Sequence, residues 1–387
     1  MKDIVVLGGG IAGVEAAIML RKKGLSVTLV SNRSFLYVYP VSIWIPTHQI
    51  DFDDVTIPLE DLAKVHGFKI LIDNVQGIDA ATSTVVLEQQ RLQYDYLVIA
   101  VGADKLQPEG IENTLSICGR PDDALKLRDR YDELIKKGSG RIALGFGGNP
   151  KDPSAVRGGP AYELIFNTVN YLQKKGLRDK FEITFFAPMA NPGAKMGKKA
   201  LEINDKFFKK LRIETRIGKK IKMFEVDGVV FEDDSKLESD LVMFIPASAG
   251  KKLLYESGLP LSDAGFVKIN EFCQVEGFTN IFAIGDIASL EGPEWRAKQG
   301  HVAEVMARVT ADNIMAIEQN KNNLKSYIEH VNILCVMDTG NGAAVIYRDI
   351  KREIMLPLPI VGHWFKKSWG HYYRLSKLKK IPRIPGM

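Results

Sequence analysis

Ile4-Val5-Val6-Leu7-Gly8-Gly9-Gly10-Ile11-Ala12-Gly13 is the stretch whose reading decides the fold. Four apolar residues in a row suit a fully buried parallel strand, and a glycine loop follows at once. Beyond it Val14, Ala17, Ile18 and Leu20 keep helical spacing up to Lys22-Lys23-Gly24, and Ser26 to Val30 reads as a second strand. Strand, loop, helix and strand within about thirty residues form a βαβ unit. In that setting Gly8 permits the tight turn, Gly10 lets a pyrophosphate approach the backbone near Ala12, and Gly13 lets the helix pack closely on the strand. A dinucleotide diphosphate is expected at the helix N-terminus, where backbone N–H groups lack helical partners. The acid that commonly closes the second strand and meets ribose hydroxyls is replaced by Ser31-Asn32, so that contact is neutral or comes from elsewhere.

At roughly 150 residues per domain, 387 residues suggest two or three units. With 45% hydrophobic and 26% charged residues the composition is that of a globular protein, and three cysteines are too few for a disulfide framework. No apolar run reaches the roughly 18 to 20 residues of a spanning helix, which leaves surface attachment open. Of the 52 basic residues, seven lie in residues 361–387 with no acid among them, so the rest of the chain sets 45 basic against 47 acidic residues. A chain-wide basic patch of the kind that binds nucleic acid is therefore absent. Met1-Lys2-Asp3 runs straight into the first strand without the succession of an export signal, which favours the cytoplasmic side.

Further along, Tyr94 to Gly102 is a buried strand ending in Ala100-Val101-Gly102, and Thr279 to Asp286 is a strand ending in Gly285-Asp286. Asp286 then stands at the carboxyl edge of the same sheet, where a carboxylate can accept from a ribityl hydroxyl. Glycine loop, Val-Gly strand and Gly-Asp strand together resemble the FAD domain of flavoproteins that carry two dinucleotide-binding domains. The resemblance implies an α/β protein with two Rossmann-like domains. An FAD-binding domain is expected over 1–109 and 246–318, a second, NAD-like domain over 110–245, and a C-terminal region of strand plus amphipathic helix over 319–387.

The second domain departs from the nucleotide-binding pattern. Arg141 to Leu144 reads as a strand and Gly145-Phe146-Gly147-Gly148 starts like a phosphate loop, but Asn149-Pro150-Lys151-Asp152-Pro153 stands where a helix should begin. Two prolines interrupt it, and the helix resumes only at Gly159-Pro160-Ala161-Tyr162-Glu163. The next strand, Glu182 to Phe186, ends in Ala187-Pro188, without an acid to read an NAD ribose. Tight NAD(P)H binding is not expected.

Within the flavoproteins the chain resembles sulfide:quinone oxidoreductases and their relatives, the flavin subunit of flavocytochrome c sulfide dehydrogenase and type II NADH dehydrogenases. Five places carry it: Phe35-Leu36-Tyr37-Val38-Tyr39-Pro40, the long loop ending in Gly159-Pro160, Ala297-Lys298-Gln299-Gly300-His301, Asn332-Ile333-Leu334-Cys335-Val336, and the basic aromatic tail. The resemblance implies Tyr39 and Pro40 beside an isoalloxazine and Lys298 facing its pyrimidine ring. An ammonium there would stabilise the negative charge of a reduced flavin; the alternative is a surface lysine. Glu163 is either a first-turn acid or a proton relay to a quinone, and His301 stands under the same choice.

In that family two cysteines flank the flavin and pass sulfur between them, which calls for a thiolate of lowered pKa. Cys335 fills one position of the pair. Counting back from Gly159-Pro160, the other is Arg157, which is either a solvated loop residue or a cation at the flavin that stabilises its reduced form or gathers an anionic substrate. Cys118 is similar to a third family cysteine, tied in some members to the flavin methyl group or assisting sulfur transfer. Cys273 has no such counterpart and is expected to be an inert, small apolar residue.

From Gly362 the tail interleaves aromatic and basic residues. On a helix Trp364, Phe365, Trp369, Tyr372, Leu375 and Leu378 share a broad face, with Lys366, Lys367, Arg374 and Lys377 toward the other side. Such a helix lies in an anionic membrane surface, or else docks on the protein or on a second copy. Pro382 and Pro385 are expected to end it. The resemblance implies a peripheral membrane oxidoreductase with FAD as cofactor, a small sulfur-containing reductant as donor and a quinone as acceptor. Two alternatives stay open: a type II NADH:quinone dehydrogenase, and a flavin subunit that serves a partner protein. Whether the chain is a homo-oligomer is not set by its sequence.

Overall fold

The structure is a computed structural model that describes residues 2–384. Pro385 lies outside the described residues. A five-stranded parallel sheet runs in the order Ile281–Ala283, Tyr96–Ile99, Asp3–Leu7, Ser26–Ser31, Lys69–Ile72. The opening apolar strand sits at its centre, with Val5 opposite Thr28 on one side and Leu97 on the other. Ile4 to Leu7 are buried there, as a strand covered on both faces requires. The glycine-loop helix, Ile11–Lys22, packs against the helix Gly300–Glu318 over the same sheet. Residues 280 positions apart thus share one sheet, which puts the Gly-Asp end of the late strand beside the glycine loop.

A second parallel sheet, Glu214–Ile217, Phe181–Ala187, Gly140–Phe146, Leu241–Ile245, is built from the residues between. Its face is filled by the helix Gly159–Lys174, from which Tyr162 and Phe166 pack against Phe185 and Phe208. The last part of the chain is an antiparallel meander, Ile333–Asp338, Gly342–Arg348, Glu353–Pro359, followed by the tail helix Val361–Lys377. The helix stops at Lys377, ahead of Pro382. No helix among the described residues is long and apolar enough to cross a membrane.

The tail helix corrects the expected distribution of its faces. Lys366 and Lys377 point into the protein and are only 6% and 3% exposed, whereas Trp364 is 63% exposed. The reason is a set of buried acids on other elements: Lys366 pairs with Glu163, and Lys377 with Glu15 and Glu304. A buried lysine without such partners would be too costly to hold in place. The helix therefore docks on the protein through its cations and leaves its first aromatic residues outside. Ile354, Leu356, Ile360 and Val361, just ahead of them in the chain, are exposed as well.

Candidate functional site

The glycine loop, the ends of Tyr96–Ile99 and Ile281–Ala283, and the meander enclose a cavity of about 2360 Å³. Gly8, Gly10 and Ala12 line its floor. Gly8 has φ +110° with Ala100 O close by, and a Cβ on Gly13 would strike Gly8 O, so both positions need glycine. No side chain caps the helix that starts at Ile11, which leaves the N-terminal dipole and N–H groups facing the cavity. Asn32 lines it as well, but Ser31 does not. The Ser31 hydroxyl donates to Arg33 O at 2.8 Å and accepts from Arg33 N at 3.1 Å, and its side chain packs under Gly9. Its expected ribose contact is thereby corrected: the hydroxyl is consumed by its own turn.

Tyr39 and Pro40 line the cavity beside Ala100, Val101 and Gly102. Tyr39 is fixed by donating its hydroxyl to Gly119 O at 3.0 Å. Gly285 and Asp286 form a turn after their strand, and the Asp286 carboxylate accepts from the Arg157 guanidinium. Arg157 is thus a cavity residue, not a solvated one, and its Nε is buried without a partner.

Lys298 is 6% exposed, donates to Ala288 O and lies 3.7 Å from the centre of the Phe266 ring. Burial pulls its ammonium down to about 7, with Arg157 adding to the effect and Asp152 opposing it. Sequence reasoning does not single out Lys105, which lines the same cavity, donates to Ser248 Oγ at 3.1 Å and is also lowered by burial to about 7. A lone lysine on a two-residue strand carries no sequence signal.

The thiols behave differently from the expectation. Burial pushes the Cys335 thiol up to about 12, and the nearby Glu163 carboxylate adds to this. Cys118 is raised too, by burial, although Arg157 and Lys105 work against it. Neither is a thiolate of lowered pKa, because an apolar wall outweighs the cations at that distance. Cys273 is fully buried, away from the cavity lining, with its thiol pushed far up.

Glu163 is buried in the first turns of its helix. It accepts from Lys366 Nζ and from the backbone N of Asp338 at 2.8 Å, and burial still raises its carboxyl. It is therefore a group able to hold a proton at the cavity wall beside Cys335. His301 is held by Asn332 Oδ1 at 2.7 Å, and burial lowers it.

The second glycine loop is closed by its own chain. Gly147 N donates to Ile245 O, Lys151 N to Asn149 Oδ1 at 3.0 Å, and Ser154 N to Asp152 Oδ1 at 2.8 Å. Lys195 then crosses above the loop to Pro153 O and, at 3.0 Å, to Arg296 O. These donors are spent within the protein and are not free to meet a pyrophosphate.

The family model of pyridine nucleotide-disulphide oxidoreductases matches residues 2–311. The chain is 26% identical to the sulfide-quinone reductase of Aquifex aeolicus, over 96% of this chain and 90% of that one. It is 24% identical to the type II NADH:quinone oxidoreductase Ndh of Mycobacterium tuberculosis, over 75% of this chain and 67% of that one. Among solved structures, the sulfide:quinone oxidoreductase from Aquifex aeolicus superposes with a TM-score of 0.88 at 24% identity, covering 98% of this chain and 92% of that one. The NDH2 of Plasmodium falciparum in complex with NADH reaches a TM-score of 0.79 at 16% identity, covering 100% and 99%.

Proposed function

Since the chain belongs to the pyridine nucleotide-disulphide oxidoreductase family and is an FAD-binding oxidoreductase, we propose that it is a peripheral membrane enzyme passing two electrons from sulfide or a related small sulfur donor to a membrane quinone. The observation that carries this reading is a single cavity shared by the open glycine loop, Lys298 and the cluster of Cys335, Glu163 and Lys366. Its residues fit the cofactor. Positions where a Cβ would collide hold glycine, an uncapped helix N-terminus faces the space for a diphosphate, and Asp286 ends the late strand at its edge.

In this reading the backbone of Gly8 to Ala12 and the Asp286 carboxylate hold FAD, which supplies the two-electron chemistry when bound. Lys298 stands where negative charge develops. A sulfide ion that gives up two electrons and a proton leaves zero-valent sulfur, which the Cys335 thiol can carry with Cys118 assisting. With Arg157 in place of the second flanking cysteine, the paired-cysteine arrangement of the resembled family lacks one member, and the guanidinium instead favours an anionic donor. A quinone takes up two electrons and two protons, for which Glu163, held by Lys366 at the same wall as Cys335, is the proton-carrying group. The exposed apolar residues Ile354, Leu356, Trp364 and Phe365 suit contact with a membrane surface.

Anaerobic addition of sulfide to the holoprotein tests the donor, with bleaching of the oxidised flavin expected. A spectrum that stays oxidised removes sulfide. The NADH-linked reading is opposed by the self-satisfied loop from Gly147 to Ala155.

A further inference from the structure

Behind the wall formed by Cys335, Glu163 and Lys366 lies a buried polar node that does not touch the cavity. Its centre is Asp338, 0% exposed, whose carboxylate accepts from His363 Nδ1 at 2.7 Å, Asn167 Nδ2 at 2.9 Å, Gly340 N at 2.9 Å and Trp44 Nε1 at 3.3 Å. A carboxylate only accepts, so His363 carries a proton on Nδ1. The Asn167 amide is oriented as well, because its Oδ1 accepts from Gln49 Nε2 at 3.0 Å. Burial raises Asp338, and the hydrogen bonds it accepts, from His363 first and then from Gly340 N and Asn167, help to reverse this, so its carboxyl stays below the ordinary range.

The node and the wall share the same three elements. The helix Gly159–Lys174 gives Glu163 to the wall and Asn167, four residues on, to the node. The strand Ile333–Asp338 gives Cys335 to the wall and Asp338, three residues on, to the node. The tail helix gives Lys366 to the wall and His363, three residues back on the same face, to the node. One further bond ties the two layers directly, from the backbone N of Asp338 to Glu163 Oε1 at 2.8 Å. A staple needed only to dock the tail helix could be apolar, without the desolvation cost of a buried carboxylate.

We propose that Asp338 and His363 are positioning residues for proton delivery to the quinone, clamping the three elements so that Lys366 and Glu163 meet at the cavity wall. This rests on the proposed quinone reaction. Removing the imidazole frees the first turn of the tail helix, Lys366 leaves Glu163, and proton delivery to the acceptor slows while the flavin side is untouched. The charged groups that face the pair are Glu163 from its helix, which also meets Lys366, and Lys367 from the tail helix; Trp44, Asn167 and Gln49 are neutral.

The test uses FAD-loaded protein, photoreduced without oxygen and mixed with a soluble short-tail quinone, and follows flavin reoxidation per bound flavin between about pH 5.5 and 9. The electrons for photoreduction come from added EDTA, so the unknown physiological reductant does not enter. His363→Leu is expected to slow reoxidation by about tenfold or more and to displace its pH profile, with the flavin midpoint potential unchanged. His363→Asn, whose amide nitrogen can take the place of Nδ1, is expected to recover the rate to within about threefold of the parent. Asp338→Asn should resemble the leucine variant; if it does not fold, the two His363 variants still decide. A leucine variant with the parent's rate and pH profile per bound flavin overturns the inference and leaves the quinone reading standing. Parent protein whose reduced flavin is not reoxidised by quinone at all overturns both.

Discussion

The chain contains two glycine-rich turns at the same place in two parallel sheets, and only one of them is open. After Asp3–Leu7 the helix starts uncapped, and Gly8 to Ala12 face a large cavity. After Gly140–Phe146 the corresponding loop folds into a short turn at Pro153–Ala155, its N–H groups taken up by Asn149 and Asp152. Two sheets of one architecture thus differ in how their loop N–H groups are used, because of a dozen loop residues. The fold sets where a nucleotide would go; the hydrogen-bond accounting of the loop sets whether it goes there. The open loop is also braced from afar. Glu15, on its helix, is fully buried and meets Lys377 and Arg383 from the tail, and Arg308.

The strongest way to break this contrast is to fill the open loop. Gly13→Val drives a side chain into Gly8 O, and the purified protein is expected to be colourless, with visible absorbance after FAD reconstitution as the check. Next in size is the brace. Lys377→Met leaves Glu15 and Glu304 short of a buried partner and is expected to cost about 3 kcal/mol or more, read as a fall in Tm. The same pair predicts an acid response. Burial raises the Glu15 carboxyl, but Lys377 and Arg383 overturn this and lower it from 4.5 to about 2. Its folded pKa is depressed, so its share of stability is complete above 4.5 and is lost as pH falls toward about 2. Thermal melts across that window should show the loss in the parent and a smaller one in Lys377→Met.

A finer probe of the open edge is Asp286→Asn. It removes one charged acceptor and is expected to weaken FAD binding by about tenfold, measured by flavin fluorescence. Smallest of all is Cys273→Ala, at a buried thiol outside the cavity lining. Flavin content and spectrum should be unchanged, and stability should drop by no more than about 1.5 kcal/mol.

Local pattern explains what was legible in the sequence. The opening strand, glycine loop and helix are written in adjacent residues, and so is the proline-broken loop of the second sheet. Asp286, Lys298, Cys335 and Cys118 came from short motifs, and all line the cavity. The buried ion pairs were not legible, because Glu15 and Lys377 are separated by 362 positions and each alone looks like a surface charge. One hint was available: Glu15 interrupts an otherwise apolar run between Val14 and Ala16. The tail misled for the same reason, since spacing shows which residues share a face but not which face meets buried acids. The thiol pKa values were beyond the sequence as well, because they depend on how tightly walls from three elements close around each sulfur.

The contrast between the loops comes down to one expectation, that the chain takes up one dinucleotide at the first loop and none at the second. The most direct measurement is calorimetric titration of flavin-stripped protein with FAD, followed by titration of the reloaded protein with NADH. One FAD per chain and no saturable NADH binding up to about 1 mM are expected. Stoichiometric NADH binding at micromolar concentration, or a protein that takes up no FAD, would contradict it.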